Sequence, residues 1–127
     1  MANIELSIAG KCFLVLDDEF LIGLDIQGIL ESAGAVTVIC VGNADDALAV
    51  LSGPRKIDLA VLDVKHSGAT RNLSFAAALQ AKGTPFVFLT AMRQHAEMKK
   101  FPDAPVVAKP YEAPELLDAI IRVLGGR

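Results

Sequence analysis

The chain has no surplus of basic charge, few cysteines and no long apolar run. Its 12 Lys and Arg stand against 15 Asp and Glu, a net charge of -3, so composition offers no electrostatic support for a nucleic-acid partner. No apolar stretch approaches the roughly 20 residues that a membrane-spanning helix requires, and no membrane partner is expected. The N-terminal stretch carries Glu5 and lacks a basic segment, which argues against a signal peptide. The expectation is a soluble, cytoplasmic protein. Cys12 and Cys40 both fall within apolar, strand-like runs and read as buried free thiols rather than a disulfide or a metal pair. His66 and His95 stand alone without metal-ligand spacing and read as loop residues, although His66 is close enough in sequence to Asp63 to line a site there. What the chain does have is apolar content: 53% of 127 residues, with a mean hydropathy of +0.46. That suits one domain with a substantial core.

The periodicity changes repeatedly along the chain. Residues 1–10 read as a leader, and residues 11–127 as the domain. Strands are expected over 11–16, 35–41, 57–62, 85–89 and 105–108, each a short apolar run. Helical spacing is expected over 20–32, through Leu21, Leu24, Ile29 and Leu30, with a stop at Gly34. A second helix over 44–51 has Asn43 as its N-cap and ends at Gly53 and Pro54. A third covers 72–82 and closes at Gly83. The segment 92–100 offers only about two helical turns before Pro102. The last helix has Pro114 in its first turn and an apolar stripe of Leu116, Leu117, Ile120, Ile121 and Leu124. Five strand–helix units, with no repeat and no low-complexity segment, imply a parallel sheet covered on both faces. The doubly wound order 2-1-3-4-5 would put a crevice at the carboxyl ends of strands 1 and 3.

Those two strands run into Asp17 with Asp18, and into Asp63. The fourth runs into Thr90, and the fifth into Lys109. Any one of these alone reads as a polar strand terminus facing water. All five, each directly after an apolar strand, read as one site, because buried strands do not finish on carboxylates without compensation. Three carboxylates at one crevice repel one another, and a hard cation such as Mg²⁺ relieves this with oxygen ligands. Asp18 is the expected direct ligand, Asp17 binds directly or through water, and Asp63 binds while keeping one oxygen to attack phosphorus. Phosphoryl transfer needs positioning and neutralisation of the equatorial oxygens. The Thr90 hydroxyl and the Lys109 ammonium can each take one, Lys acting as a compact point charge.

This set resembles the receiver domain of two-component response regulators. The resemblance rests on Asp17-Asp18-Glu19 after Leu16, Asp63 between Leu62 and Val64, Thr90-Ala91 after Phe88-Leu89, and Lys109-Pro110-Tyr111 after Ala108. It covers essentially the whole chain. It implies a flavodoxin-like (βα)5 α/β fold, dependence on Mg²⁺ and phosphorylation of Asp63 by a partner phosphohistidine. It also implies a cis peptide before Pro110 and the backbone carbonyl of Lys65 as a further metal ligand. Glu19-Phe20-Leu21-Ile22 together with 85–90 resembles stand-alone receivers common in alphaproteobacteria, which lack the usual aromatic residue on strand 5; here that position is Val106. The common proline four positions after the acceptor is Ser67, and Lys65 and Met92 occupy positions that tune dephosphorylation in the family. The expected partners are a histidine kinase or histidine phosphotransfer protein docking near Phe20, Leu21, Ile22 and Tyr111, and a downstream protein met by a surface that includes residues 91–101. The protein is expected to be a monomer or weak homodimer, a signalling domain rather than an enzyme. Two other readings stand beside this one. One is a receiver-shaped binding module that works without phosphorylation. The other is a phosphatase of the haloacid dehalogenase type, which wants Asp-x-Asp after its first strand, where this chain has Asp17-Asp18-Glu19. Nor does the sequence exclude a piece of a longer kinase or regulator.

Overall fold

Alternation along the strands decides which helix covers which side of the sheet. The computed structural model describes residues 8–64, 69–91 and 96–125. Its strands are β1 (Cys12–Leu16), β2 (Thr37–Val41), β3 (Leu59–Asp63), β4 (Phe86–Thr90) and β5 (Val106–Ala108). They form one parallel sheet in the expected order β2-β1-β3-β4-β5. The helices are α1 (Phe20–Ser32), α2 (Ala44–Ser52), α3 (Ala69–Lys82) and α4 (Ala113–Leu124), with a short 3-10 helix at Ala96–Lys100. Phe13, Val15, Leu59, Val61, Val87 and Leu89 point to one side and meet Ile26 and Leu30 of α1 and Leu116 and Ile120 of α4. Leu14, Leu16, Ala60, Leu62, Phe86 and Phe88 point to the other and meet Ala47 and Leu51 of α2, Phe75 and Leu79 of α3, and Met98. Each of the larger side chains contributes about 1.5–3 kcal/mol on full burial. This two-sided burial is why β1, β3 and β4 read as unbroken apolar runs.

Local signals explain most of the boundaries. Asn43 caps α2, its side-chain oxygen accepting from Asp46 N at 2.8 Å. Glu112 and Glu115 form a capping box at the start of α4, with Pro114 in the first turn. Gly34 has φ +109°, and a Cβ there would sit 3.1 Å from the Ala9 Cα; only glycine suits that turn between α1 and β2. Ile8, within the expected leader, is fully buried against the α1–α4 side of the core.

Several sequence expectations shift. Helix α3 starts at Ala69 rather than 72. Thr70 is only a weak helix opponent, and a hydrogen bond from Asn72 Nδ2 to the Asp63 carbonyl, at 2.6 Å, ties the first turn to the end of β3. The short helix expected over 92–100 is a 3-10 helix at Ala96–Lys100; residues 92–95 lie outside the described residues. Cys40 is a correction. It is free as expected but exposed, because β2 is an edge strand whose residues are at best half-buried. Cys12, on the central β1, is free and buried as expected.

Candidate functional site

Parallel pairing in register carries the ends of the central strands to one edge of the sheet. Leu16 pairs with both Val41 and Leu62, Asp63 with Leu89, and Thr90 with Ala108. The residues that end or follow these strands therefore meet. Carboxylate oxygens of Asp17, Asp18 and Asp63 all lie within 4.8 Å of one another. Asp17 and Asp63 are buried, and Asp18 is open to solvent.

The Lys109 ammonium sits among them. It lies 2.9 Å from Asp63 Oδ1, 3.4 Å from Asp17 Oδ2 and 3.5 Å from Glu19 Oε1. Its backbone N–H donates to the Thr90 carbonyl at 2.8 Å, extending the β4–β5 pairing by one residue. The Lys109–Pro110 peptide is cis, as the resemblance implied. Burial alone would lower the Lys109 pKa. The hydrogen bond and charge of Asp63, followed by Asp17, outweigh burial and raise it above the ordinary lysine value. The ammonium is therefore fully charged at neutral pH and balances part of the acidic cluster.

Thr90 is fully buried, and its hydroxyl donates to the Val64 carbonyl at 2.6 Å. That carbonyl belongs to the residue directly after Asp63, so the hydroxyl lies beside the acidic pocket. Asp17 is held by its own turn: its Oδ1 accepts from Glu19 N at 2.8 Å. The structure thus brings together Asp17, Asp18, Asp63 and Lys109, with Thr90 adjacent. Lys65, His66, Ser67, Met92 and His95 lie outside the described residues.

Three contacts around the site were not foreseen: Glu19 on Lys109, Asn72 on the Asp63 carbonyl, and a hydrogen bond from the Tyr111 hydroxyl to Asp25 Oδ2 at 2.6 Å. Glu19 was legible as a third acid beside Asp17 and Asp18. Nothing in the spacing marks Asn72 or Asp25. Burial, followed by the hydrogen bond and charge of Asp25, holds the Tyr111 phenol well above the ordinary tyrosine pKa. Phe20 and Leu21, at the start of α1, are each 75% exposed, and Val106 on β5 is 46% exposed.

No protein-family model matches the sequence, and no curated protein matches it significantly. Solved structures do match the fold. A response regulator receiver protein from Sinorhizobium medicae superposes with a TM-score of 0.80 at 23% identity, covering 91% of this chain and 95% of that one. The chemotaxis protein CheY4 of Vibrio cholerae gives 0.78 at 24% identity, over 91% and 99%. The N-terminal domain of a response regulator/sensory box/GGDEF 3-domain protein from Carboxydothermus hydrogenoformans gives 0.78 at 25% identity, over 91% and 94%. The chain has the fold of CheY-like receiver domains. Likeness at this level of identity shows the receiver architecture, and the chemistry resides in the side chains at the sheet edge.

Those side chains suit a hard divalent cation. The three converging groups are all oxygen donors, two buried and one open to water. Mg²⁺ favours such a site, in which one or two carboxylates bind and several positions remain for water and phosphate oxygens. No described helix is long and apolar enough to cross a membrane.

Proposed function

We propose that the chain is a phosphoacceptor receiver of two-component or phosphorelay signalling, with Asp63 as the acceptor. One observation carries the reading. The Asp63 side chain, only 3% exposed, ends β3 with the Lys109 ammonium 2.9 Å away and the carboxylates of Asp17 and Asp18 alongside. The donor is a phosphohistidine on a histidine kinase or histidine phosphotransfer protein. An Asp63 oxygen attacks phosphorus and forms the O–P bond as the P–N bond breaks. The electron pair stays on the imidazole nitrogen, which takes up a proton. Asp17, Asp18 and Asp63, with the Lys65 backbone carbonyl, would hold Mg²⁺. When bound, the ion offsets the negative charge that gathers on the phosphoryl oxygens. Lys109 takes one of those oxygens, moving off its contacts with Asp17 and Glu19. Thr90 takes another after exchanging its bond to the Val64 carbonyl.

Phe20 and Leu21, which begin α1 two residues after Asp18, give the donor an exposed apolar landing surface. The output is a protein–protein contact rather than catalysis on an external substrate. Val106 presents no ring for Thr90 to draw inward, so the change is carried by the segment after Thr90. That segment leads into the 3-10 helix and to Phe101, which packs edge to face on Phe86 and Phe88 with ring centroids 5.6 and 6.0 Å away. Val106 at the position of the usual aromatic residue supports a receiver of the alphaproteobacterial type. Val106 also favours a second reading, a receiver-shaped module that binds without being phosphorylated.

The test is incubation with phosphoramidate and Mg²⁺, followed by intact-mass analysis. A single phosphoryl adduct, labile to hydroxylamine and absent from Asp63→Asn, is the expected outcome. No adduct on the wild-type chain, or the same adduct on Asp63→Asn, rejects the acceptor role. Equal partner affinity for wild type and Asp63→Asn, with and without donor, would favour the phosphorylation-independent module.

A further inference from the structure

Among the described residues, two side chains of the loop between β5 and α4 reach across to the β1–α1 turn and to α1 itself. One is the Lys109 ammonium, which reaches Asp17 and Glu19. The other lies outside the acidic cluster. The Tyr111 hydroxyl donates to Asp25 Oδ2 at 2.6 Å, joining residues 86 apart in sequence. The ring behind that hydroxyl is half-buried against the apolar layer shared by α1 and α4. The length of the bond is that of a strong hydrogen bond to an ionised acceptor.

The position of Tyr111 in the chain gives this bond leverage. Lys109 is only two residues back, so its Cα lies at most about 7 Å from that of Tyr111. The Lys109 backbone is itself bonded to Thr90 on β4. Lys109 is thus held between a sheet hydrogen bond on one side and a side-chain tie to α1 on the other. Without that bond, the ring packing of Tyr111 and the neighbouring cap of α4 are what hold this end of the loop. Asp25 also lies four residues after Leu21, on the same face of α1.

We propose that Tyr111 and Asp25 are positioning residues for Lys109: their hydrogen bond sets the reach of the ammonium toward the group on Asp63. The proposal rests on the phosphoacceptor reading, and its test separates the two. Tyr111→Phe removes the donor and keeps the ring. Asp25→Ala removes the acceptor, whereas Asp25→Asn keeps an oxygen in place. Two quantities are read on each variant: the rate of Asp63 phosphorylation by phosphoramidate with Mg²⁺, and the nitrogen-resolved resonance of the Lys109 ammonium in the unphosphorylated protein.

Tyr111→Phe and Asp25→Ala should each slow phosphorylation at saturating donor by about tenfold, the kind of loss that follows from a misplaced catalytic group. The half-saturating donor concentration should not change. The double variant should be no slower than either single, because both remove one interaction. Asp25→Asn should stay closer to wild type than Asp25→Ala. The Lys109 resonance should move in both single variants while the far-ultraviolet circular dichroism of the fold is retained. A wild-type rate in Tyr111→Phe, an unmoved Lys109 resonance, or fully multiplicative losses in the double variant overturns the proposal. If the wild-type chain takes no phosphoryl group, the functional reading falls. The resonance then decides the positioning role by itself: movement supports it and constancy overturns it.

Discussion

Lys109→Met keeps a side chain of similar length and deletes its charge. In the folded protein the ammonium lies 2.9 Å from Asp63 Oδ1 and 3.4 Å from Asp17 Oδ2. At an effective dielectric constant of about 20, these separations correspond to attractions of about 6 and about 5 kcal/mol before desolvation is subtracted. Desolvation is heavy here, because the Asp17 and Asp63 side chains are only 1% and 3% exposed. The net cost of stripping one partner from such a buried set is about 3–5 kcal/mol, since the remaining carboxylates repel one another without a counter-charge. Urea unfolding followed by far-ultraviolet circular dichroism should therefore show a midpoint lower by about 2 M, given the denaturant sensitivity of a domain this size. Mg²⁺ should recover more stability in the variant than in wild type, because it binds the folded carboxylates and meets repulsion that Lys109 no longer offsets. A loss below about 0.5 kcal/mol, the level of an ordinary surface substitution, together with an equal response to Mg²⁺, would refute the account of Lys109 as the internal counter-charge.

Tyr111 is the single tyrosine of a chain without tryptophan, so the phenolate absorbance reports on it alone. Its pKa is raised in the folded state; the stabilisation from keeping the phenol neutral is present below the unfolded value of about 10 and is lost as pH rises through the folded value. An alkaline titration should find the midpoint above that of free tyrosine, and Asp25→Asn should bring it down, although burial remains; coincident midpoints for the two proteins would contradict the assigned cause. Asn43→Ala deletes the acceptor that caps α2 and should lower stability by about 1 kcal/mol, seen as a fall of several degrees in thermal melting; an unchanged melting temperature would mean that solvent replaces the cap without loss.

The alternation of strands and helices, and the placing of acidic and basic groups at the strand ends, were legible because both follow from short-range regularities. Apolar runs of about five residues, broken by glycine, proline and capping residues, can pair only as alternating strands and helices, and the residue that follows each run lands at the carboxyl edge. Asn43 and Pro114 acted where local chemistry placed them. Cys40 shows the limit of such reading: its apolar neighbours resemble those of Cys12, but exposure depends on which strand lies at the sheet edge, a property of the order rather than of the run.

The sequence alone determined that Asp17, Asp18, Asp63, Thr90 and Lys109 would share one rim, because strand periodicity is local and parallel pairing aligns strand ends. The folded arrangement of helices on the sheet sets where the Lys109 charge rests, that Glu19 shares it, that Asn72 ties α3 to Asp63, and that Tyr111 bonds to Asp25 across 86 residues. Those contacts depend on how far each helix is rotated and shifted on the sheet. Close packing of the two apolar layers sets that geometry, which residue spacing along the chain does not encode.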